Sequence, residues 1–225
     1  MSRRAATARK VLLTGFDPFG GETINPSWEA VRGLDGEDIA GHRIVATCLP
    51  TEFGRSRRAL RAAIARAEPG IVLCVGQAGG RAALSIERVA INVDDARIPD
   101  NAGRQPVDRP IIADAPAAYF ATLPIKSMLT ALQGAGVPAE ISQTAGTFVC
   151  NHVFFALMHA LASRRTCRGG FVHIPYLPEQ AARHPGAPGL ALETVQRGLR
   201  ILIETAATTR RDRRIAAGAT HWGIA

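Results

Sequence analysis

Ile71–Gly80 reads IVLCVGQAGG, a continuous apolar run that stops in glycines. A strand half-exposed to solvent alternates apolar and polar residues; this one does not, so both of its faces are buried and something must cover each of them. Immediately upstream, EFGRSRRALRAAIARAEP carries Leu60, Ile64 and Ala67 at helical spacing and is ended by Pro69-Gly70. Before that come HRIVATCLP, a second strand, and KVLLTGF, a first strand, separated by the loop DPFGGETINPS and a helix carrying Trp28 and Val31. Strand, helix, strand, helix, strand predicts an α/β domain with a substantially parallel central sheet.

Downstream, ALSIERVAINVDDARIPDNAGRQP breaks this rhythm and reads as strands with a polar excursion. A helix is predicted from about Tyr119 to Leu132, a short strand over Ile141–Thr144, a helix from about Asn151 to Arg165, a strand in FVHIPYLP, and a last helix from about Leu190 to Ala206. No repeat, linker or low-complexity block divides the chain, so residues 1–225 read as one domain, with basic, flexible ends at about 1–9 and 208–225.

Composition narrows the function classes. The 225 residues are 47% hydrophobic, with no apolar run long enough to span a bilayer, and MSRRAATARK leads straight into a strand rather than a signal-peptide core. The net charge of +8 is carried largely by arginines at the termini and in Arg55–Arg66, with hardly any aromatic residues interleaved, so a solvated surface is expected rather than nucleic-acid binding. Cys48, Cys74, Cys150 and Cys167 form no C-x-x-C pair and sit mostly in apolar stretches, which suits reduced thiols and a cytoplasmic location.

Chemistry concentrates in ISQTAGTFVCNHVFFALMHALASRR, where Cys150 falls between strand and helix. Unpaired N–H groups and the positive end of a helix dipole stabilise an anion there, and are expected to lower a thiol from its ordinary value of about 8.5. The alternative is a buried, inert cysteine. A cysteine nucleophile needs a base. His42, His184 and His221 lie in polar or terminal segments, and His152 and His159 on the cysteine's own helix; His173 ends a strand, where ligands gather in α/β sheets. A right-handed crossover makes its strand the neighbour of the strand before Cys150. A buried histidine satisfied by a backbone carbonyl is the alternative. Glu87, an acid in the apolar SIERVAIN, either orients a base or pairs structurally with Arg88 or another chain segment. Arg97 is open between a salt bridge to Asp94 or Asp95 and an oxyanion donor. The glycine-rich GFDPFGG suggests a phosphate-binding enzyme such as a nucleoside phosphorylase, but it lacks a G-K-[ST] ending and Asp17 would repel phosphate.

Four blocks, VLLTGFDPFGGETINPSWEAV, VGQAGGRAALSIERVAINVDDARIPDNAGRQP, TAGTFVCNHVFF and FVHIPYLPEQ, resemble the pyroglutamyl peptidase I family of cysteine peptidases. The resemblance implies an α/β/α sandwich with a mixed sheet, phosphorylase/hydrolase-like, and a homotetramer acting on N-terminally pyroglutamylated peptides without metal or cofactor. It implies a triad of Glu87, Cys150 and His173, with Arg97 at the oxyanion. Phe16 and Phe19 would offer faces to the lactam, Gln77 its backbone, and Phe148 would close the pocket. A non-catalytic binder of such peptides is the remaining alternative.

Overall fold

The computed structural model describes residues 9–164 and 166–218, so parts of both basic ends and Arg165 lie outside the described residues. Its centre is a seven-stranded sheet in the order β2-β3-β1-β4-β9-β5-β8. These strands are β1 (Arg9–Phe16), β2 (Asp38–Ile39), β3 (His42–Leu49), β4 (Ile71–Gln77), β5 (Leu84–Glu87), β8 (Ala139–Ser142) and β9 (Arg168–Ile174). β6 (Val89–Ile91) and β7 (Ala118–Phe120) form a separate antiparallel pair. The helices are α1 (Pro26–Arg32), α2 (Arg55–Ala67), α3 (Ile125–Gly134), α4 (Val149–Leu161), α5 (Pro178–Ala181) and α6 (Leu192–Thr208).

The apolar run at 71–77 behaves as its composition requires. Ile71, Leu73 and Val75 enter one core with α1, α3 and α6, whereas Val72 and Cys74 enter a second core with α2 and α4. The fold is therefore an α/β/α sandwich. Strands β1, β3, β4 and β9 run parallel, and β5 runs antiparallel to β9 while pairing parallel with β8. The sheet is mixed.

That last feature corrects the crossover expected from sequence. β8 and β9 are not neighbours: β5 lies between them, and β8 points opposite to β9. Local patterning reveals a strand but not the direction in which a four-residue segment enters a sheet. The helix expected over Tyr119–Leu132 is likewise replaced at its start by β7, because Tyr119 pairs across to Ala90, and begins only after Pro124. The helix bearing Cys150 starts two residues earlier than expected and ends at Leu161.

The segment after α6 packs back onto the fold. Asp212 accepts hydrogen bonds from the backbone N–H groups of Lys126 (3.1 Å) and Ser127 (2.8 Å), capping α3, whose own N-cap is Pro124 and offers no side-chain acceptor. Among the described residues no helix is long and apolar enough to cross a membrane.

Close packing of α1 on β1 depends on Gly15, where a Cβ would lie 2.7 Å from the Ser27 carbonyl carbon and oxygen and from the Trp28 Cα. Backbone does not yield as a flexible side chain does. Gly15→Ala is expected to destabilise the protein by about 1–3 kcal/mol in urea unfolding. Gly134→Ala, which meets nothing within 4 Å, should leave stability unchanged or raise it by up to about 1 kcal/mol.

Candidate active site

Side chains alternate across a sheet, and Ser85, Glu87, Phe171 and His173 all sit on the opposite face from Leu84, Ile86, Val172 and Ile174. That is the face covered by α2 and α4. The antiparallel entry of β5 sets Glu87 across from Phe171 and Ser85 across from His173, so the carboxylate and the imidazole meet diagonally. His173 Nδ1 donates to Glu87 Oε1 at 2.7 Å. A carboxylate only accepts, so Nδ1 carries the proton and Nε2 presents a lone pair. Both side chains are buried.

Cys150 arrives from the helix layer. It stands in the first turn of α4, whose N-cap Phe148 has extended backbone and gives no side-chain cap, so the first-turn N–H groups point free. The approach is permitted by Gly76 of β4, which pairs with His173. A Cβ there would lie 2.8 Å from Cys150 Sγ and 2.8 and 2.9 Å from ring atoms of Phe171. The helix is pinned by two buried polar residues next in sequence. Asn151 exchanges hydrogen bonds with the Ile91 backbone, 3.1 and 2.9 Å, and His152 donates through Nδ1 to Asp94 while Nε2 accepts from Gly54 N–H at 3.1 Å. His152 therefore serves to hold α4 against the 51–54 loop and the excursion.

The thiol does not follow the helix-dipole expectation. Burial, followed by the Glu87 carboxylate, pushes Cys150 up to about 12, with Arg81 pulling the other way and Cys74 adding to the rise. Burial also pushes His173 down, against its hydrogen bond and charge interaction with Glu87. Burial thus favours the uncharged form of both groups.

Other predicted residues separate. Phe16 is only 2% exposed and packs on Phe171, 6.4 Å between ring centroids, in the core beneath the site; that is the position of a core anchor with little face to offer a ligand. Phe19 is half-buried and packs on Phe148 at 6.0 Å, and Phe148 meets Phe53 edge-on at 5.4 Å, giving an aromatic wall beside Cys150. Gln77 ends β4, its side-chain Oε1 buried without a hydrogen-bond partner. Arg97 is exposed in the excursion; among the described residues it makes no ion pair with Asp94 or Asp95, and Asp94 is taken by His152. Glu87 pairs with Arg81 at 2.8 Å rather than with Arg88. Arg81 and Gly76 carried no assigned role from the sequence, and His152, set aside there as a base, has a structural role; for Arg81 the available signal was a lone cation closing a glycine-rich strand end. A cleft of about 710 Å³ between α2 and α4, lined by Arg57, Arg61, His159 and Arg164, contains none of Glu87, Cys150 or His173.

The loop bearing Phe19 is clasped from the other end of the chain. Glu22 accepts from His184 Nε2 (2.7 Å), Arg183 Nη2 (2.5 Å) and Gln180 Nε2 (3.2 Å). The His184 bond foremost, against burial and with help from Arg183 and Gln180, brings Glu22 down to about 2 from an ordinary 4.5. A depressed carboxyl contributes stability that is present above its unfolded value and lost as pH falls through the folded one. Glu22→Gln should therefore melt below wild type at pH 7, and the gap in Tm should close as pH falls from about 4.5 towards 2. A gap constant over that range would exclude the clasp.

A family model for pyroglutamyl peptidase matches residues 9–209. A pyrrolidone-carboxylate peptidase of Cupriavidus taiwanensis is 63% identical over 213 residues, 94% of this chain and 99% of that protein. The crystal structure of pyroglutamyl peptidase I from Bacillus amyloliquefaciens is 50% identical with a TM-score of 0.90, covering 93% of this chain and 100% of that one. A mutant pyrrolidone carboxyl peptidase from the hyperthermophile Pyrococcus furiosus is 42% identical with a TM-score of 0.85, covering 88% and 97%.

Proposed function

The chain belongs to the pyroglutamyl peptidase family and is a cysteine peptidase that removes N-terminal pyroglutamyl residues; we propose that it does so through Cys150, His173 and Glu87. The observation that carries the assignment is the 2.7 Å bond from His173 Nδ1 to the buried Glu87, on the one patch of sheet where Gly76 lets Cys150 close in.

Burial that disfavours charge on both groups sets the order of events. His173 Nε2 takes the thiol proton as Cys150 Sγ attacks the pyroglutamyl carbonyl, so charge separates only when substrate is present to use it. Glu87 holds the tautomer and stabilises the imidazolium that forms. The tetrahedral oxyanion is met by the free first-turn N–H groups of α4 and by Arg97, each such donor being worth about 3 kcal/mol of barrier. Collapse of the intermediate expels the amine, which receives the proton from His173. Water, deprotonated by the same imidazole, then hydrolyses the thioester and releases pyroglutamate.

Recognition falls to the aromatic wall. Phe19 and Phe148 offer faces to the flat lactam, with Phe16 backing the site from the core, and the Gln77 backbone pairs its amide. Pairing the ring N–H and C=O makes prolyl compounds poor substrates, by a factor on the order of 10⁴, since the ring carbonyl is missing and its partner would be left buried and unpaired. The same reading has the enzyme act as a homotetramer on peptides in a reducing, cytoplasmic setting, which the four free cysteines support.

Release of a fluorescent amine from a pyroglutamyl amide, with the prolyl amide in parallel, tests the reading. Wild type should turn over the first alone and lose activity on alkylation by iodoacetamide. Cys150→Ala should fold and be inactive, residual turnover above about one part in a thousand being incompatible with the nucleophile. His173→Ala should behave nearly the same. Glu87→Gln should keep a fraction of the activity; wild-type rates would remove it from the mechanism.

A further inference from the structure

Arg81 follows the turn at Gly79-Gly80 that ends β4, with Gly80 at φ +88°. Its side chain is 26% exposed and reaches two elements at once. Nη1 donates to Glu87 Oε1 at 2.8 Å, the same oxygen that accepts His173 Nδ1. Nη2 donates to the carbonyl of Thr144 at 3.1 Å. Thr144 lies in the connection from β8 to α4, whose course is set by Ser142 Oγ donating to the same carbonyl and by the turn at Gly146 (φ +75°).

We propose that Arg81 is a positioning residue for this reaction: one guanidinium that clamps the Glu87–His173 pair to the segment delivering Cys150 and supplies the counter-charge that the buried carboxylate requires.

The clamp follows from connectivity. Glu87 pairs with Ser142 at the end of β8, where the chain leaves the sheet for α4; Arg81 fastens the carboxylate itself to Thr144, two residues past that last pair and six before Cys150. The counter-charge follows from burial. Glu87 is 0% exposed, and its second oxygen, Oε2, has no hydrogen-bond partner. A buried ionised carboxylate is costly unless paired with a cation, and a neutral imidazole is not one. Among the described residues Arg81 is the permanently charged group paired with it.

The charged and titratable groups acting on His173 and Cys150 are Glu87 on β5, Arg81 and, for the thiol, Cys74 on β4. Burial and Glu87 push the thiol up, and Arg81 opposes them. Burial holds the imidazole down against Glu87, and Arg81 adds to that. Removing the cation therefore moves both groups upward, so His173 gains its proton, and Cys150 loses its own, at higher pH than in wild type. The role rests on the triad reading above, but the charge it places at Cys150 is readable without turnover.

Arg81→Met and Arg81→Lys separate charge from bridging. Two profiles are measured against pH: alkylation of Cys150 by iodoacetamide, followed on its own peptide by mass spectrometry, and kcat/KM for the pyroglutamyl amide. In Arg81→Met the alkylation profile and the acid limb of kcat/KM should both move to higher pH, with kcat down at least tenfold and KM within about threefold. In Arg81→Lys both profiles should return towards their wild-type positions while kcat stays depressed, since an ammonium makes no two-pronged bridge. Wild-type profiles in Arg81→Met overturn the inference, as does wild-type kcat in Arg81→Lys; the lysine variant alone decides if the methionine variant does not fold. Displaced alkylation with no turnover by wild type would sink the peptidase roles and leave the placement of charge at Cys150 standing.

Discussion

A fully buried carboxylate sits where the two halves of this sheet meet, and the surrounding structure meets its demands. Glu87 is on β5, the strand that enters the sheet against the direction of β9, and that reversal is what brings an acid opposite Phe171 and diagonal to His173. Had β5 run parallel, the same four residues would have presented a different register to the histidine strand. The charge is then made tolerable by donors from two directions, the imidazole on one side and a guanidinium on the other, both on a single oxygen. An oxygen shared between the imidazole and the guanidinium is an orientation device as well as a neutralising one, because neither donor can move without lengthening its bond to Glu87.

The second constraint is steric. A helix packs on a sheet at a distance set by the side chains between them, and a first-turn cysteine brought onto the sheet needs a place where nothing intervenes. Gly76 is that place, one residue before the end of β4 and in register with His173. Around it the large residues Phe16, Phe154 and Phe171 fill the layer beneath a half-buried thiol, and burial pushes that thiol up. Burial that opposes ionisation also strengthens each electrostatic interaction once charge appears, so the packing that raises the Cys150 thiol would also favour a thiolate–imidazolium pair.

Much of this was legible in the residues. The unbroken apolar run at 71–77 and its neighbours gave the layered architecture, because a strand without a polar face admits few other environments. Cys150 and His173 stood out as a nucleophile type and a base type at element ends. What sequence did not carry was pairing at a distance. Glu87 was weighed against Arg88 beside it, while its partner Arg81 lies around a glycine turn; β8 was set beside β9 because nothing in LSIE announces a strand that inserts between them. Tyr119 looked helical because its partner Ala90 is nearly thirty residues away. A helix terminus is visible locally, but the burial that pushes the thiol up is a property of the assembled layers.

The position of β9 has a consequence for how the molecule comes into being. It lies inside the sheet, with β4 on one side and β5 on the other, yet among the described residues it is the last strand made. Until it inserts, residues 9–77 and 84–142 can form only two separate half-sheets, each with a raw edge, and the contacts that join them span long stretches of chain. Insertion closes the sheet and carries His173 to Glu87 in one event. On a growing chain Cys150 precedes His173 by only 23 positions, so both wait for β9 to insert, and hydrolytic capacity appears only as folding finishes.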